Sequence, residues 1–285
     1  GDLYKSDWIV TKPLSHTDSS VVMTFPTHTT RDIIWAYLPF PGFNESFPEL
    51  PERLLPELNN ANRITVTRDL PYSFDFTIEN FMDPAHIPFA HHSFQGTRED
   101  AGPMQMEILT DAINNHTHCE VLYLERYKSK ERPGIVSFIS PIYYNLQIFN
   151  QNMTFFIRPL IIIVVPIVPG KTKIFLSAIA PRSFVSRFIP KWWIHAFYLR
   201  FLDSDIWIHD QEKLVRCGLS SFPQLNAEIT FSDPLLGRRP GSRPLRYSLM
   251  TESDRGCIAW RKWWKHHMEH LPLFGTTTVA DFSPL

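Results

Sequence analysis

The sequence has little cysteine and no long apolar run. Its three cysteines, Cys119, Cys217 and Cys257, form no Cys-x-x-Cys or Cys-x-His pair, so they cannot bind an iron–sulfur cluster or a cysteine-rich zinc ion within this chain. Their odd number argues against a disulfide scaffold and favours a reducing compartment. The longest apolar run, residues 160–168, is interrupted by Pro166 and is too short to span a bilayer.

The chain also has no excess of positive or negative charge. The 28 basic and 29 acidic residues give a net charge of -1, and no basic stripe is present, so nucleic acid is not an expected partner. Aromatic residues are plentiful, with 22 Phe, 9 Tyr and 8 Trp among the 285 residues. This composition is explained by a Phe-rich core; the alternative is that part of the aromatic surface lines a large apolar pocket or contacts a membrane.

Hydrophobic patterning predicts an α+β fold in which helices flank an antiparallel sheet. Strands are predicted at 21–25, 33–38, 63–70, 104–109, 118–127, 134–139, 144–149, 153–157, 160–165 and 173–180. Helices are predicted at 76–92, 188–217 and 254–270. The short turns between successive strands favour antiparallel pairing.

The most informative segment is ENFMDPAHIPFAHH, residues 79–92. Asp83, followed by proline, is typical of a helix start. His86 and His91 are five residues apart, which places them on different faces of an ideal helix. Pro88 lies between them and would bend the helix, so that both imidazoles could converge on a divalent transition metal. The alternative is a histidine pair with only a structural role.

A carboxylate would complete such a site. The predicted helix at 188–217 carries Asp203 and Asp205 in an otherwise apolar stretch, and an acidic group in that setting needs a partner. Two histidines and one carboxylate form the facial triad of non-haem Fe(II) enzymes. A solvated helix face or a helix cap explains the two aspartates equally well.

The segment 79–92 resembles the iron-binding motif of Rieske oxygenases, especially the pheophorbide a oxygenase-like group. Further stretches resemble that group in the same order along the chain: DIIWAYLP, PIVPGKTKIF, IPKWWIHAFYLRFLDSDIWIHDQEKL and ESDRGCIAWRKWWKHH. The resemblance implies a helix-grip-like catalytic domain covering residues 1–285. Residues 1–60 are expected to connect it to a preceding Rieske domain.

The resemblance also implies roles for individual residues. By position, His86 and His91 become the imidazole ligands of a mononuclear Fe(II), and Asp205 becomes its carboxylate ligand, with Asp203 as the alternative. His92 matches a variable position and is not expected to bind the metal.

Two further residues are expected at the catalytic site. Asp83 matches the aspartate that links an iron ligand to a cluster ligand of the neighbouring subunit. It would hold the imidazole of His86 and relay an electron. Asn80 is expected near the iron.

The implied protein is an O₂-dependent mono- or dioxygenase acting on an aromatic or macrocyclic substrate, such as the chlorophyll breakdown product pheophorbide a. Its [2Fe-2S] cluster is expected in a separate N-terminal domain, because the cysteine and histidine pairs that bind it do not occur here. A ferredoxin-type donor, a homotrimer, a chloroplast location and membrane association of the full-length protein follow from the same resemblance.

Two other functions stay open. The first is the same chemistry on a sterol or another small hydrophobic substrate. The second is a non-catalytic pigment- or lipid-binding module.

Overall fold

The computed structural model describes residues 27–30, 33–36, 59, 63–127, 130–150, 156–168, 170–179, 189–210, 212, 249 and 251–267. The chain divides into two compact units, Gly1–Thr65 and Val66–Leu285. In the first unit, β1 (Thr27–Thr29) and β2 (Ile34–Ala36) pair antiparallel. The predicted strand at 21–25 lies outside the described residues.

A seven-stranded sheet has the order β3-β9-β8-β7-β6-β5-β4, and each neighbouring pair from β4 to β9 is antiparallel. Its strands are β3 (Arg63–Leu70), β4 (Gln105–Ile108), β5 (His118–Tyr127), β6 (Lys130–Ile139), β7 (Tyr143–Phe149), β8 (Phe156–Val168) and β9 (Lys171–Ile179). The prediction of an antiparallel α+β fold is confirmed. From β4 to β9, successive strands are close in sequence, so each of β5 to β9 pairs with the strand before it through a short connection.

One strand prediction was wrong. The predicted strands 153–157 and 160–165 are not separate, because residues 156–168 form the single strand β8. Pro159, which lies between the two predicted strands, pairs with Gln147 of β7, and the ladder continues through it. Proline removes one N–H donor but its φ is compatible with extended backbone, so the strand is not broken.

The core lies between one face of this sheet and two helices. Alternate residues of the central strands are buried, as the period of two requires. On β5 these are Cys119, Val121 and Tyr123, each fully buried. Burial raises the pKa of the Cys119 thiol to about 12, so this cysteine stays protonated and packs as an apolar group.

The predicted helix at 76–92 is interrupted. Helix α1 (Phe74–Phe81) ends before Asp83, a 3₁₀ turn covers Pro84–His86, and α2 (Ile87–Ala90) follows. We expected the bend at Pro88, and this was wrong: Pro88 lies within the first turn of α2, where proline is tolerated. The break comes at Asp83, because the proline after it disfavours helical backbone there.

The other two predicted helices, 188–217 and 254–270, are described only in part, and their predicted C-terminal ends lie outside the described residues. Helix α3 (Lys191–Asp203) ends at a turn through residues 204–206, after which residues 207–210 are again helical. Helix α4 (Arg255–His267) begins after a capping box formed by Thr251 and Asp254. None of the helices in the described ranges is long and apolar enough to span a membrane.

Helices α1 and α4 pack closely against each other. A side chain on Gly256 would meet the carbonyl oxygen of Met82 at 2.0 Å, so only glycine permits this approach. Further along α4, Arg261 forms buried ion pairs with Asp75 and Glu79 of α1. Trp260 donates a hydrogen bond of 3.2 Å to the carbonyl oxygen of Asp75. Helix α1 is therefore held by both apolar and ionic contacts.

We expect Arg261→Met to destabilise the protein by about 3–5 kcal/mol, because it leaves two carboxylates buried without their cation. Urea unfolding followed by circular dichroism measures the loss. Lys265→Ala, on the exposed side of the same helix, is the matched control and should change stability by less than about 0.5 kcal/mol. Equal effects of the two substitutions would contradict a role for the ion pairs.

Candidate metal centre

The break after α1 brings the two histidines to one place. The Asp83 backbone is not helical (φ -106°, ψ 86°), and its carboxylate accepts a hydrogen bond from the Ala85 N–H at 2.9 Å. This cap starts the 3₁₀ turn that ends at His86, and α2 then carries the chain to His91. The ring centroids of the two histidines are 5.2 Å apart.

Asp205 reaches the same place from the end of α3. It lies in the turn after the helix, and its N–H donates to the carbonyl oxygen of Leu202 at 3.2 Å. Leu202, Asp205 and Ile208 are all buried and are spaced by three residues. The carboxylate therefore lies on the buried side of this segment, among apolar neighbours, where an ionised group needs a partner.

The three side chains converge through atoms that can bind a metal. The Nε2 atoms of His86 and His91 are 3.3 Å apart. Asp205 Oδ2 lies 3.3 Å from Nε2 of His91, and Asp205 Oδ1 lies 3.9 Å from Nε2 of His86. Asp205 is 2% exposed. Its Oδ1 has no hydrogen-bond partner among the described residues. A divalent cation would pair with this orphaned oxygen, and two imidazoles with one carboxylate suit such an ion, so the residues fit a metal.

Each ligand candidate has a second contact that orients it. Nδ1 of His86 is hydrogen-bonded to the carbonyl oxygen of Asp83. The ring of His91 stacks on Phe201 at a centroid distance of 3.9 Å, and its Nδ1 lies 2.7 Å from Ser204 Oγ. Asn80 donates from Nδ2 to Asp205 Oδ2 at 3.3 Å. Such outer contacts set which atom of a side chain faces the metal.

The structure distinguishes between the two aspartates. Asp203 is exposed and forms an ion pair with Arg68 of β3, away from the histidines. Asp205 is the aspartate that joins the cluster. His92 is also exposed, and its Nδ1 accepts a hydrogen bond from the Arg98 N–H at 3.1 Å, so it does not join the cluster.

Asn80 and Asp83 contact the three converging side chains through different groups. Asn80 contacts Asp205 directly. Asp83 contacts His86 through its backbone carbonyl, while its carboxylate caps the following turn. Burial raises the pKa of this carboxyl, and the neighbouring His86 partly offsets the effect. Asp83 was expected to hold the imidazole of His86; among the described residues that contact is made by its backbone carbonyl and not by its carboxylate.

Three residues of the site were not predicted. Ser204 and Phe201 contact His91, and no sequence pattern marked either one. Tyr72 is buried nearby, and its pKa is raised by burial first and then by the negative charges of Asp205, Asp203 and Glu212. Its phenol therefore stays neutral. Tyr72 directly follows Pro71 at the end of β3, a position that only the tertiary structure relates to the carboxylates.

A cleft beside the 3₁₀ turn is lined by Pro84, Pro88, Asp100, Glu125 and Glu131 among others. It does not include the three converging side chains. Its acidic groups do not match the hydrophobic pocket that the composition predicts, so we assign no substrate to it.

The fold is that of the catalytic domain of Rieske oxygenases. The solved structure of dicamba monooxygenase bound to 3,6-dichlorosalicylic acid superposes on it with a TM-score of 0.55 at 12% sequence identity, covering 88% of this chain and 72% of that one. A second neighbour, NdmB of Pseudomonas putida CBB5, has a TM-score of 0.51 at 16% identity, covering 88% of this chain and 62% of that one. No protein-family model matches the sequence.

Within that fold, the sequence is similar to the pheophorbide a oxygenase-like proteins, as the motifs indicated. It is 23% identical over 304 residues to protochlorophyllide-dependent translocon component 52 of Arabidopsis thaliana, covering 90% of this chain and 50% of that protein. It is 24% identical over 274 residues to pheophorbide a oxygenase of the same species, covering 89% and 47%. Flavonoid 8-hydroxylase 2 of Ocimum basilicum is 23% identical over 219 residues, covering 67% and 40%. The chain spans half or less of the length of each of these relatives.

We expect Asp205→Asn to lose the bound metal and Asp203→Asn to keep it. The first substitution removes the charge that faces both imidazoles, whereas the second removes an exposed ion pair that contributes at most about 1 kcal/mol to stability. Iron per chain after anaerobic reconstitution with Fe(II) measures both. Iron loss in the Asp203 variant with retention in the Asp205 variant would reverse the assignment.

Proposed function

We propose that this chain is the oxygen-activating part of a Rieske-type oxygenase and binds one Fe(II) through His86, His91 and Asp205. The observation that carries the proposal is the convergence of these three side chains around a buried, unpaired carboxylate oxygen. The fold supports it, because solved structures with this fold include a monooxygenase. The presence of all three candidate ligands, two histidines and one aspartate, argues against a binding module that needs no metal.

The chain's own groups prepare the site for this role. His86, His91 and Asp205 would hold the ion, and a site with only three protein ligands would leave room for O₂ and substrate. Bound Fe(II) would supply the activation of O₂ once substrate is in place. Asp205 offsets one of the two positive charges, and its burial keeps bulk water from solvating the carboxylate.

The electrons for this chemistry come from outside the chain in our proposal. No Cys-x-His pair occurs in the sequence, so a [2Fe-2S] cluster would lie in a Rieske domain before residue 1. Residues 1–60 would connect the two domains. Asp83 marks the expected entry point, because its carbonyl contacts a metal ligand and its carboxylate caps the adjoining turn. A homotrimer with a ferredoxin-type donor completes this arrangement.

The proposed substrate is a hydrophobic aromatic or macrocyclic compound, with pheophorbide a as the first candidate. The similarity to pheophorbide a oxygenase supports it, and so does the stacking of Phe201 on the ring of His91. The similarity to flavonoid 8-hydroxylase 2 supports the same chemistry on a smaller substrate. The names of these relatives include "chloroplastic", which supports a plastid location. Membrane association of the longer protein remains part of the proposal.

We expect the chain to bind about one Fe(II), and His86→Ala and His91→Ala each to reduce the bound iron to background. The reason is that removal of either imidazole leaves only two protein ligands. Iron content after anaerobic reconstitution measures this. His92→Ala, next in sequence to a proposed ligand but exposed, is the control and should bind iron as the parent does. An unchanged iron content in either the His86 or the His91 variant would contradict the proposed iron site.

Oxygenation itself is tested on the full-length protein. With reduced ferredoxin and ¹⁸O₂, we expect ¹⁸O in the product of pheophorbide a, and none in the His86→Ala variant. Naringenin and a sterol serve as smaller hydrophobic probes. If ¹⁸O appears in the product of one of these probes and not in that of pheophorbide a, the substrate is a smaller hydrophobic compound. Tight binding of pigment without label from any probe, in iron-loaded protein, would indicate a binding module and overturn the proposal.

A further inference from the structure

The two histidines are held by partners of different kinds. His86 is held by a backbone carbonyl, which every residue at position 83 would provide. His91 is held by the hydroxyl of Ser204, which only this side chain provides. The hydrogen bond that holds Nδ1 of His91 therefore depends on a side chain outside the three converging residues.

The hydrogen bonds of Ser204 determine which nitrogen of His91 carries the proton. Its Oγ is 2.5 Å from the carbonyl oxygen of Phe201, which can only accept, so the hydroxyl donates its proton there. The same Oγ lies 2.7 Å from Nδ1 of His91 and can then only accept. Nδ1 of His91 must carry the proton, and in the neutral ring Nε2 keeps its lone pair.

That lone pair faces the candidate metal centre. Nε2 of His91 is 3.3 Å from both Nε2 of His86 and Oδ2 of Asp205. The other tautomer would place an N–H there and would block coordination by His91. The stacked ring of Phe201 restricts the plane of the imidazole, so the choice of tautomer and the direction of Nε2 are set together.

We propose that Ser204 is a positioning residue that fixes the Nδ1–H tautomer of His91 and thereby presents Nε2 to the metal. Ser204 and Asp205 are neighbours in the turn after α3, so one turn supplies both the carboxylate ligand and the group that orients an imidazole ligand. The inference rests on the proposed iron site for its consequence, but the tautomer is a property of the metal-free chain.

The first test reads the tautomer directly. In the metal-free chain with ¹⁵N-labelled histidine, at a pH where the imidazole is neutral, long-range ¹H–¹⁵N spectra distinguish Nδ1–H from Nε2–H. The signal that disappears in His91→Asn identifies the residue. We expect the Nδ1–H form in the parent chain and in Ser204→Thr, and a shift towards Nε2–H in Ser204→Ala. A pure Nδ1–H signal in Ser204→Ala would overturn the proposal.

The second test reads metal affinity with Zn²⁺ as a diamagnetic probe and with Fe(II). We expect Ser204→Ala to weaken both by about 10–100-fold, the usual cost of losing such an outer contact. Ser204→Thr and Ser204→Val match each other in shape, so a difference between them reports the hydroxyl and not the volume. Equal affinity in these two variants would contradict the proposal, even if the alanine variant folds poorly.

Ser253→Ala is the control for loss of a serine hydrogen bond elsewhere. Its Oγ accepts from the Met104 N–H at 3.0 Å, and it lies outside the metal cluster. We expect neither the His91 tautomer nor metal affinity to change. If the parent chain binds no Fe(II), the proposed iron site fails, while the tautomer spectra still decide the role of Ser204.

Discussion

The arrangement of this site depends on one buried carboxylate. Asp205 is almost fully inaccessible, faces two imidazole nitrogens and has one oxygen without a hydrogen-bond partner among the described residues. An ionised group in such a place loses its hydration and must recover that free energy from a cation or from strong hydrogen bonds. Asn80 supplies one hydrogen bond, which satisfies the other oxygen only. A divalent ion would satisfy the remaining requirement and would remove the repulsion among the facing acceptor atoms.

The surrounding structure serves to hold the two segments that meet at this carboxylate. Helix α1 precedes both histidines, and it is fixed against α4 by Arg261 and by the close approach at Gly256. Phe201 lies in the last turn of α3, and Ser204 and Asp205 lie in the turn that follows, so the end of this helix supplies three residues that contact His91. The convergence of the three side chains thus follows from how two helix ends are placed, and the sheet provides the surface on which α1 and α4 pack.

The sequence predicts the antiparallel sheet and the two histidines, but it does not predict every side-chain contact of the site. Strands β3 and β5 have the predicted bounds, because alternation of apolar residues is a local signal. The motif places a proline between the two histidines, and this predicts a bend at Pro88. The helix instead breaks at Asp83, because the following proline disfavours helical backbone there and the Asp83 side chain caps the next turn. Asp203 and Asp205 are two residues apart and differ only in which side of the helix end faces the histidines, which is a tertiary property.

The asymmetry between the histidines has a consequence for how such a site can vary. Because the partner of His86 is main chain, substitution at position 83 can change the cap and the local charge while leaving that hydrogen bond in place. The partner of His91 is a side chain, so the same freedom does not exist at position 204. Outer contacts made by side chains are the ones through which a sequence can tune metal affinity without changing a ligand. In this chain, Ser204 lies next to Asp205 in the turn after α3. The residue that orients His91 and the residue that supplies the negative charge are therefore neighbours in sequence.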